Sequence, residues 1–300
     1  MTGNKTDIKT TMEESARAVT RALDHLLPID GTLPESRLEE AMRYAVLDGG
    51  KRVRPFLVMA SAELFNVREE AALRVAAAVE MVHGYSLVHD DLPCMDDDAL
   101  RRGKPTCHIQ FGEAAAVLAG DALLTRAFEV LSEDETHPDA GVRANLVLEL
   151  ARAIGAEGMA GGQMLDLMAE EKTLTMAEVT RLQRMKTGAL ISFSCEAGAI
   201  LARAPETSRH ALHAYAHDLG LAFQIIDDLL DVEGTPETVG KATRKDEKRG
   251  KSTFISLLGV DRARDQATML ADQARHHLEI FDEKADPLRE FSHFVVDRQH

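Results

Sequence analysis

The sequence predicts an all-α protein, and three observations carry that prediction. Apolar residues recur at intervals of three and four along almost the entire chain, the period of an amphipathic helix. No stretch alternates apolar and polar residues in the manner of a half-buried strand. No Gly/Ser-rich linker, low-complexity tract or repeat of fixed period divides the pattern. A chain of 300 residues is long enough to bury a large core. We read one helical domain over 1–300, with residues 1–10 as a flexible tail.

The elements follow in order. Residues 15–27 and 36–47 carry apolar residues on one face, and Ser36 is a good N-cap. Residues 54–65 have Pro55 early in the helix, where proline is tolerated. Residues 71–92 are alanine-rich and apolar on most sides, which predicts a central buried helix. Further helices are expected at 113–132, 142–153, 176–202, 207–230, 252–258, 261–281 and 287–296. The longest break, 233–253, is polar, and a long loop in a compact domain often carries function.

Composition excludes several classes. The formal net charge of -15 opposes nucleic acid and anionic membrane surfaces, so local basic clusters point to a small anion. The three cysteines, Cys94, Cys107 and Cys195, are odd in number and form no CxxC, which argues against a disulfide framework or structural zinc. We expect Cys94 and Cys107 to pack, and the scattered methionines to fill core. The first residues lack an apolar h-region, and no apolar run approaches the ~18 residues that span a membrane. A cytoplasmic protein without membrane insertion is expected.

Two acidic clusters stand out: Asp90-Asp91-x4-Asp96, extended by Asp97 and Asp98, and Asp227-Asp228-x-x-Asp231. Residues four apart differ by ~40° around a helix axis, so Asp227 and Asp231 share a face with Gln224. Pro93 disfavours helix at Leu92, so Asp96 comes back toward Asp90 only if the chain bends. A solvated helix end explains one acidic run taken singly. Two runs, each preceded by apolar helix, point to Mg²⁺, which joins a few carboxylates to phosphate oxygens.

Basic residues cluster as well. GGKRVRP (49–55) offers Lys51, Arg52 and Arg54 at a glycine turn feeding a helix, a reasonable anion site. Arg101 and Arg102 form a second group, and Lys186-Thr187, Lys241 and Lys251 a looser third. GKST (250–253) is no P-loop, because Lys245 stands where that motif needs glycine. Glu80-x-x-His83 has di-iron spacing, but no second ExxH occurs. His83 lies on the Asp90 face, two turns below it. His89-Asp90 fits the HD metal-dependent phosphohydrolases, a different-class alternative that stays open.

GGKRVRP, DDLPCMDDDALRRGKPTCH, GGQMLD, MKTG, FQIIDDLLD and GKST, in this order from Gly49 to Thr253, resemble the trans-isoprenyl diphosphate synthases. The four-residue gap between Asp91 and Asp96 is similar to that of the bacterial farnesyl enzymes and the bacterial and plant geranylgeranyl enzymes. The resemblance implies an all-α isoprenoid synthase fold, a helical bundle around a deep central cavity, in a homodimer. It implies Mg²⁺-dependent head-to-tail condensation of isopentenyl diphosphate with an allylic diphosphate. Three ions per site are implied, with Mn²⁺ as a substitute. By the match, Asp90, Asp96 and Asp227 are the leading metal ligands, supported by Asp91, Asp228 and Asp231. Arg101, Lys186, Thr187, Gln224, Lys241 and Lys251 hold the allylic diphosphate, and Lys51, Arg54, His83 and Arg102 hold isopentenyl diphosphate. Asp90, Asp91, Asp96, Arg101, Lys186, Asp227 and Lys241 carry the catalytic burden.

The chemistry fits these residues independently. A leaving diphosphate gains charge that metal and Lys/Arg stabilise, and the carbocation left behind needs a dry, apolar cavity. No side chain is an obvious base for the final proton loss, which the resemblance gives to the released diphosphate. Product length is expected to depend on bulk below Asp90. The helical wheel points to Ser86, one turn below, while the resemblance implies that an aromatic residue at Tyr85 limits the product to C15. Farnesyl diphosphate is expected, with geranylgeranyl diphosphate as the alternative. Ala99 departs from the family by ending the acidic run early, and the last residues, VVDRQH, are weakly basic, with Arg298 available to cover the isopentenyl site. A class I terpene cyclase would replace the second DDxxD by a mixed motif and would not need GGKRVRP.

Overall fold

The computed structural model describes residues 7–47, 49–169, 172–233 and 253–298, and nearly all of its regular structure is helical. Two compact units emerge. One is Met1–Met59 with Arg68–Val147, and the other is Ala60–Val67 with Leu148–His300.

The first unit holds α1 (Ile8–Leu26), α2 (Ser36–Leu47), α4 (Glu69–Asp90), α5 (Cys107–Phe111) and α6 (Glu113–Ser132), with the starts of α3 (Val53–Leu64) and α7 (Ala140–Ile154). Ser36 is the first residue of α2 rather than its cap, and its hydroxyl donates back to the Leu33 carbonyl at 2.7 Å. The predicted central helix is α4, in which every residue from Val75 to Val82 is buried. By length and composition alone α4 would cross a membrane, but 67% of its apolar window is buried inside the protein, which makes it a core helix. It packs closely on α6, where a Cβ on Gly120 would fall 2.1 Å from the His89 ring. Ala41, Val88, Leu92, Cys107, Ala116 and Ala119 form a core cluster beneath the first acidic motif. A short hairpin of β1 (Leu100–Arg101) and β2 (Lys104–Pro105) turns at Arg102 and Gly103, both at positive φ, as a two-residue turn between antiparallel strands demands.

The second unit holds α8 (Met159–Met168), α9 (Met176–Gln183), a π-helical turn (Arg184–Gly188), α10 (Ala189–Leu201) and α11 (Glu206–Glu233). Then follow α12 (Phe254–Leu258), α13 (Val260–His277), a 3₁₀ turn (Glu283–Ala285) and α14 (Asp286–Asp297). Helix α11 buries Ala222, Ile225, Ile226 and Leu229 against Phe254, Ile255, Ala263, Ala267 and Leu270. Each large aliphatic side chain so buried contributes roughly 1.5–3 kcal/mol. Burial on this face fixes which way Asp227 and Asp231 point. The helix expected at 176–202 is divided by the π turn, which carries the MKTG motif.

Candidate active site

The first acidic motif is built where α4 stops. Helix α4 ends at Asp90, and the chain bends so that the Asp96 amide donates to the Asp90 carbonyl at 2.8 Å. The Asp97 amide meanwhile donates to Leu92, with Asp97 itself at φ 52°. The return of Asp96 to Asp90 is the bend that Pro93 makes necessary.

The aspartates then divide. Asp90 and Asp96 stay half-buried, whereas Asp91 is 3% exposed. Asp91 accepts from Arg101 Nε at 3.0 and 2.9 Å and from Arg101 Nη2 at 2.6 Å. Burial pushes the Asp91 carboxyl up, and the Arg101 guanidinium pulls it part of the way back. Burial and Asp91 together push the Cys107 thiol up to about 11, which makes it a packing residue.

The second acidic motif repeats this division on α11. Asp228 is 8% exposed and accepts from the Phe254 amide at 3.0 Å, which ties α11 to the start of α12. Asp227 and Asp231 remain half-buried. Gln224 Nε2 reaches Asp227 Oδ2 at 3.4 Å, on the face the spacing predicts, and Arg298 binds the other oxygen, Oδ1.

Among the described residues no three His, Cys, Asp or Glu side chains gather closely enough to enclose a metal ion unaided. The donor set suits Mg²⁺ all the same, since that ion is held by one or two carboxylates plus water and phosphate oxygens. It does not suit the HD alternative, which needs His ligands. His89 Nε2 instead faces the Val117 carbonyl at 3.1 Å, so this nitrogen carries the proton.

Basic residues of the first unit surround His83. Arg54 Nη1 lies 3.4 Å from His83 Nε2, and Arg102 Nη1 donates to the Gly49 carbonyl at 3.0 Å. Gly50 holds φ at +100°, a backbone conformation that side-chain-bearing residues rarely adopt, and lies close against the Arg102 guanidinium. Burial, then Arg54, Arg102, Arg101 and Arg52, hold the His83 pKa well below its usual value, so His83 is neutral. Lys51 is exposed beside this group. Arg52 and Glu80 form a buried ion pair, and Arg52 also donates to the Val46 carbonyl. Glu80 is therefore a structural counter-ion, a role its di-iron spacing did not suggest.

In the second unit, Lys186 sits in the π turn and bonds Asp166 Oδ2 at 2.7 Å. The turn is approached so closely by α8 that a Cβ on Gly162 would fall 2.2 Å from the Lys186 amide nitrogen. Thr187 lies half-buried in the same turn. Asp166 and Gln163 were not singled out by sequence reasoning. Both polar side-chain atoms of Gln163 are buried without a hydrogen-bond partner among the described residues. Their place inside GGQMLD was the available signal. Lys241 and Lys251 lie outside the described residues.

Below Asp90, Tyr85 and Ser86 are both half-buried. Ser86 turns its hydroxyl back to the His83 carbonyl at 2.9 Å. The Tyr85 ring meets His89 edge-on at 5.8 Å, and its hydroxyl pKa is raised by burial and by the charge of Asp90.

Helical units that carry paired aspartate motifs have the donor chemistry to hold a metal-bound diphosphate, and comparison with known proteins gives the family. The chain belongs to the polyprenyl synthetase family, whose pattern matches residues 35–286. It is 47% identical over 266 residues to the farnesyl diphosphate synthase of Escherichia coli (strain K12), covering 86% of this chain and 88% of that protein. It is 41% identical to geranylgeranyl pyrophosphate synthase 4 of Arabidopsis thaliana, covering 98% of this chain and 79% of that one. The crystal structure of an FPP/GFPP synthase from Zymomonas mobilis superposes with a TM-score of 0.88 at 50% identity, covering 96% of this chain and 98% of that one. The chain is a prenyltransferase that uses divalent metal ions.

Proposed function

We propose that this prenyltransferase joins isopentenyl diphosphate to dimethylallyl or geranyl diphosphate and releases farnesyl diphosphate. One observation carries the reading. In both acidic motifs the second aspartate is buried and internally bonded, while its neighbours remain accessible. A row of repelling carboxylates thereby becomes a set of oriented ligands.

Asp90, Asp96, Asp227 and Asp231 would hold Mg²⁺, three ions in the full site, with Mn²⁺ as a substitute. Asp91 and Asp228 would support them through the backbone they anchor. Bound metal supplies charge to the diphosphate as the allylic C–O bond ionises. Lys186, in its fixed turn, adds a cation to that diphosphate, with Arg101, Thr187 and Gln224. Lys241 and Lys251 join them on the strength of the resemblance. Lys51, Arg54 and Arg102 bind the second diphosphate, and a neutral His83 accepts from Arg54 without adding repulsion among the guanidiniums. Isopentenyl diphosphate attacks the allylic cation, and the adduct loses a proton to the released diphosphate. Tyr85 bounds the growing chain at C15. The geranylgeranyl relative, similar over 98% of this chain, favours C20 as the second reading. A cytoplasmic homodimer is proposed from the resemblance.

The test is one incubation of purified protein with Mg²⁺, isopentenyl diphosphate and a C5 or C10 allylic diphosphate, with products sized. Farnesyl diphosphate is expected. A C20 product selects the second reading, and absence of any elongation defeats both.

A further inference from the structure

Arg298, the residue after α14, is docked on α11 by three contacts. Its Nη2 donates to Asp227 Oδ1 at 2.5 Å and to the Phe223 carbonyl at 3.1 Å. Its guanidinium carbon stands 3.9 Å from the centroid of the Phe223 ring, within cation–π range. The Arg298 side chain is 8% exposed, whereas the Asp227 side chain is 44% exposed. The docking is incomplete in one respect. Arg298 Nε is buried and has no hydrogen-bond partner among the described residues. Among the described residues, the remaining Asp227 oxygen has only the long contact from Gln224, at 3.4 Å.

Asp227 is thus a proposed metal ligand that already has a strong cationic partner from its own chain. A guanidinium and a divalent cation on the same carboxylate oxygen exclude each other sterically and repel each other electrostatically. The guanidinium is poorly placed to resist, because leaving its buried Nε–H unbonded costs free energy that solvent exposure would recover. From this geometry we infer that Arg298 is the resident counter-ion of Asp227. Metal-bound diphosphate arriving at the second acidic motif displaces it and lifts the Arg298 side chain off α11. Arg298 is a positioning residue on this account. It sets the affinity of the motif for metal and takes no part in bond breaking. The inference rests on the proposed role of Asp227 as a metal ligand.

The chain contains no tryptophan, so Phe223→Trp places a single indole beneath the Arg298 guanidinium. Mg²⁺ with inorganic diphosphate is expected to shift the emission of Phe223→Trp and to leave Phe223→Trp/Arg298→Gln unmoved. Independently, calorimetry of Arg298→Gln in the otherwise unchanged chain should show Mg²⁺–diphosphate bound about ten-fold more tightly, the scale of one charge-assisted hydrogen bond removed from competition. Asp227→Asn separates the two ideas. If Asp227→Asn weakens binding while the emission stays fixed and Arg298→Gln binds no more tightly, displacement is wrong and the ligand role stands. If Asp227→Asn binds as well as the parent, both fall.

Discussion

The Arg52–Glu80 pair shows how single residues prepare the basic half of the site. Both side chains are almost fully buried, and Arg52 holds φ at 48°, a backbone region that non-glycine residues seldom adopt. The pair fixes the turn from which Lys51 and Arg54 project. Removing one member leaves an uncompensated buried charge, so Glu80→Ala should cost about 3–5 kcal/mol in chemical denaturation. Replacing both partners with apolar residues should recover much of that loss while still weakening binding of isopentenyl diphosphate. Tyr85 is the second residue whose change has a definite sign. Its ring meets His89 edge-on, one residue before Asp90, which puts it next to the first motif. Tyr85→Ala should lengthen the largest product beyond the C15 of the parent, read by chromatography of the extracted prenyl diphosphates. Unchanged length would transfer the role to Ser86 or elsewhere. Sequence periodicity placed Asp227, Asp231 and Gln224 on one face of a helix, because that arithmetic needs only the helical repeat. It gave no sign that Asp91 and Asp228 turn inward, since their partners, Arg101 and the Phe254 amide, are set by a hairpin and a distant helix start.

At the scale of elements, the π turn between α9 and α10 is the feature periodicity did not reveal. A π turn adds a residue to one helical turn, and an apolar pattern read at intervals of three and four does not register it. Helix α8 was missed for a related reason, as Gly161-Gly162 reads as a helix breaker. The paired glycines are explained by packing, because α8 meets the backbone of the π turn at Gly162. Gly162→Ala must push that turn away and with it the Lys186–Asp166 bond. We expect kcat to fall with little change in KM for isopentenyl diphosphate, and stability to fall by about 1–3 kcal/mol. A second link, between α10 and α11, depends on pH. His213 Nδ1 lies 2.9 Å from Glu196 Oε1, and that carboxylate raises the His213 pKa above 6.5. A raised folded pKa means the contribution is complete below 6.5 and is lost as pH rises through the folded value. His213→Gln should therefore cost more stability at pH 6 than at pH 8, with a small effect because the side chain is mostly exposed.

For the whole molecule, the proposed reaction requires both acidic motifs to serve one metal-bound diphosphate, although Asp90 and Asp227 lie 137 positions apart in the sequence. Ligand binding to the folded state alone raises stability by RT ln(1 + [L]/Kd), about 2.7 kcal/mol at one hundred times Kd. Mg²⁺ with inorganic diphosphate should therefore raise the melting temperature, and diphosphate without Mg²⁺ should do so far less, because the acidic motifs repel a bare anion. Asp90→Asn and Asp227→Asn should each abolish most of the shift. A ligand served by both motifs depends on both, whereas two independent sites would lose only their own share. Scanning calorimetry of the parent, each variant and the double variant decides between these cases. With one shared ligand, the double variant loses no more than either single change. Additive losses would mean that each motif binds alone, and the proposed mechanism would then fail at its central step.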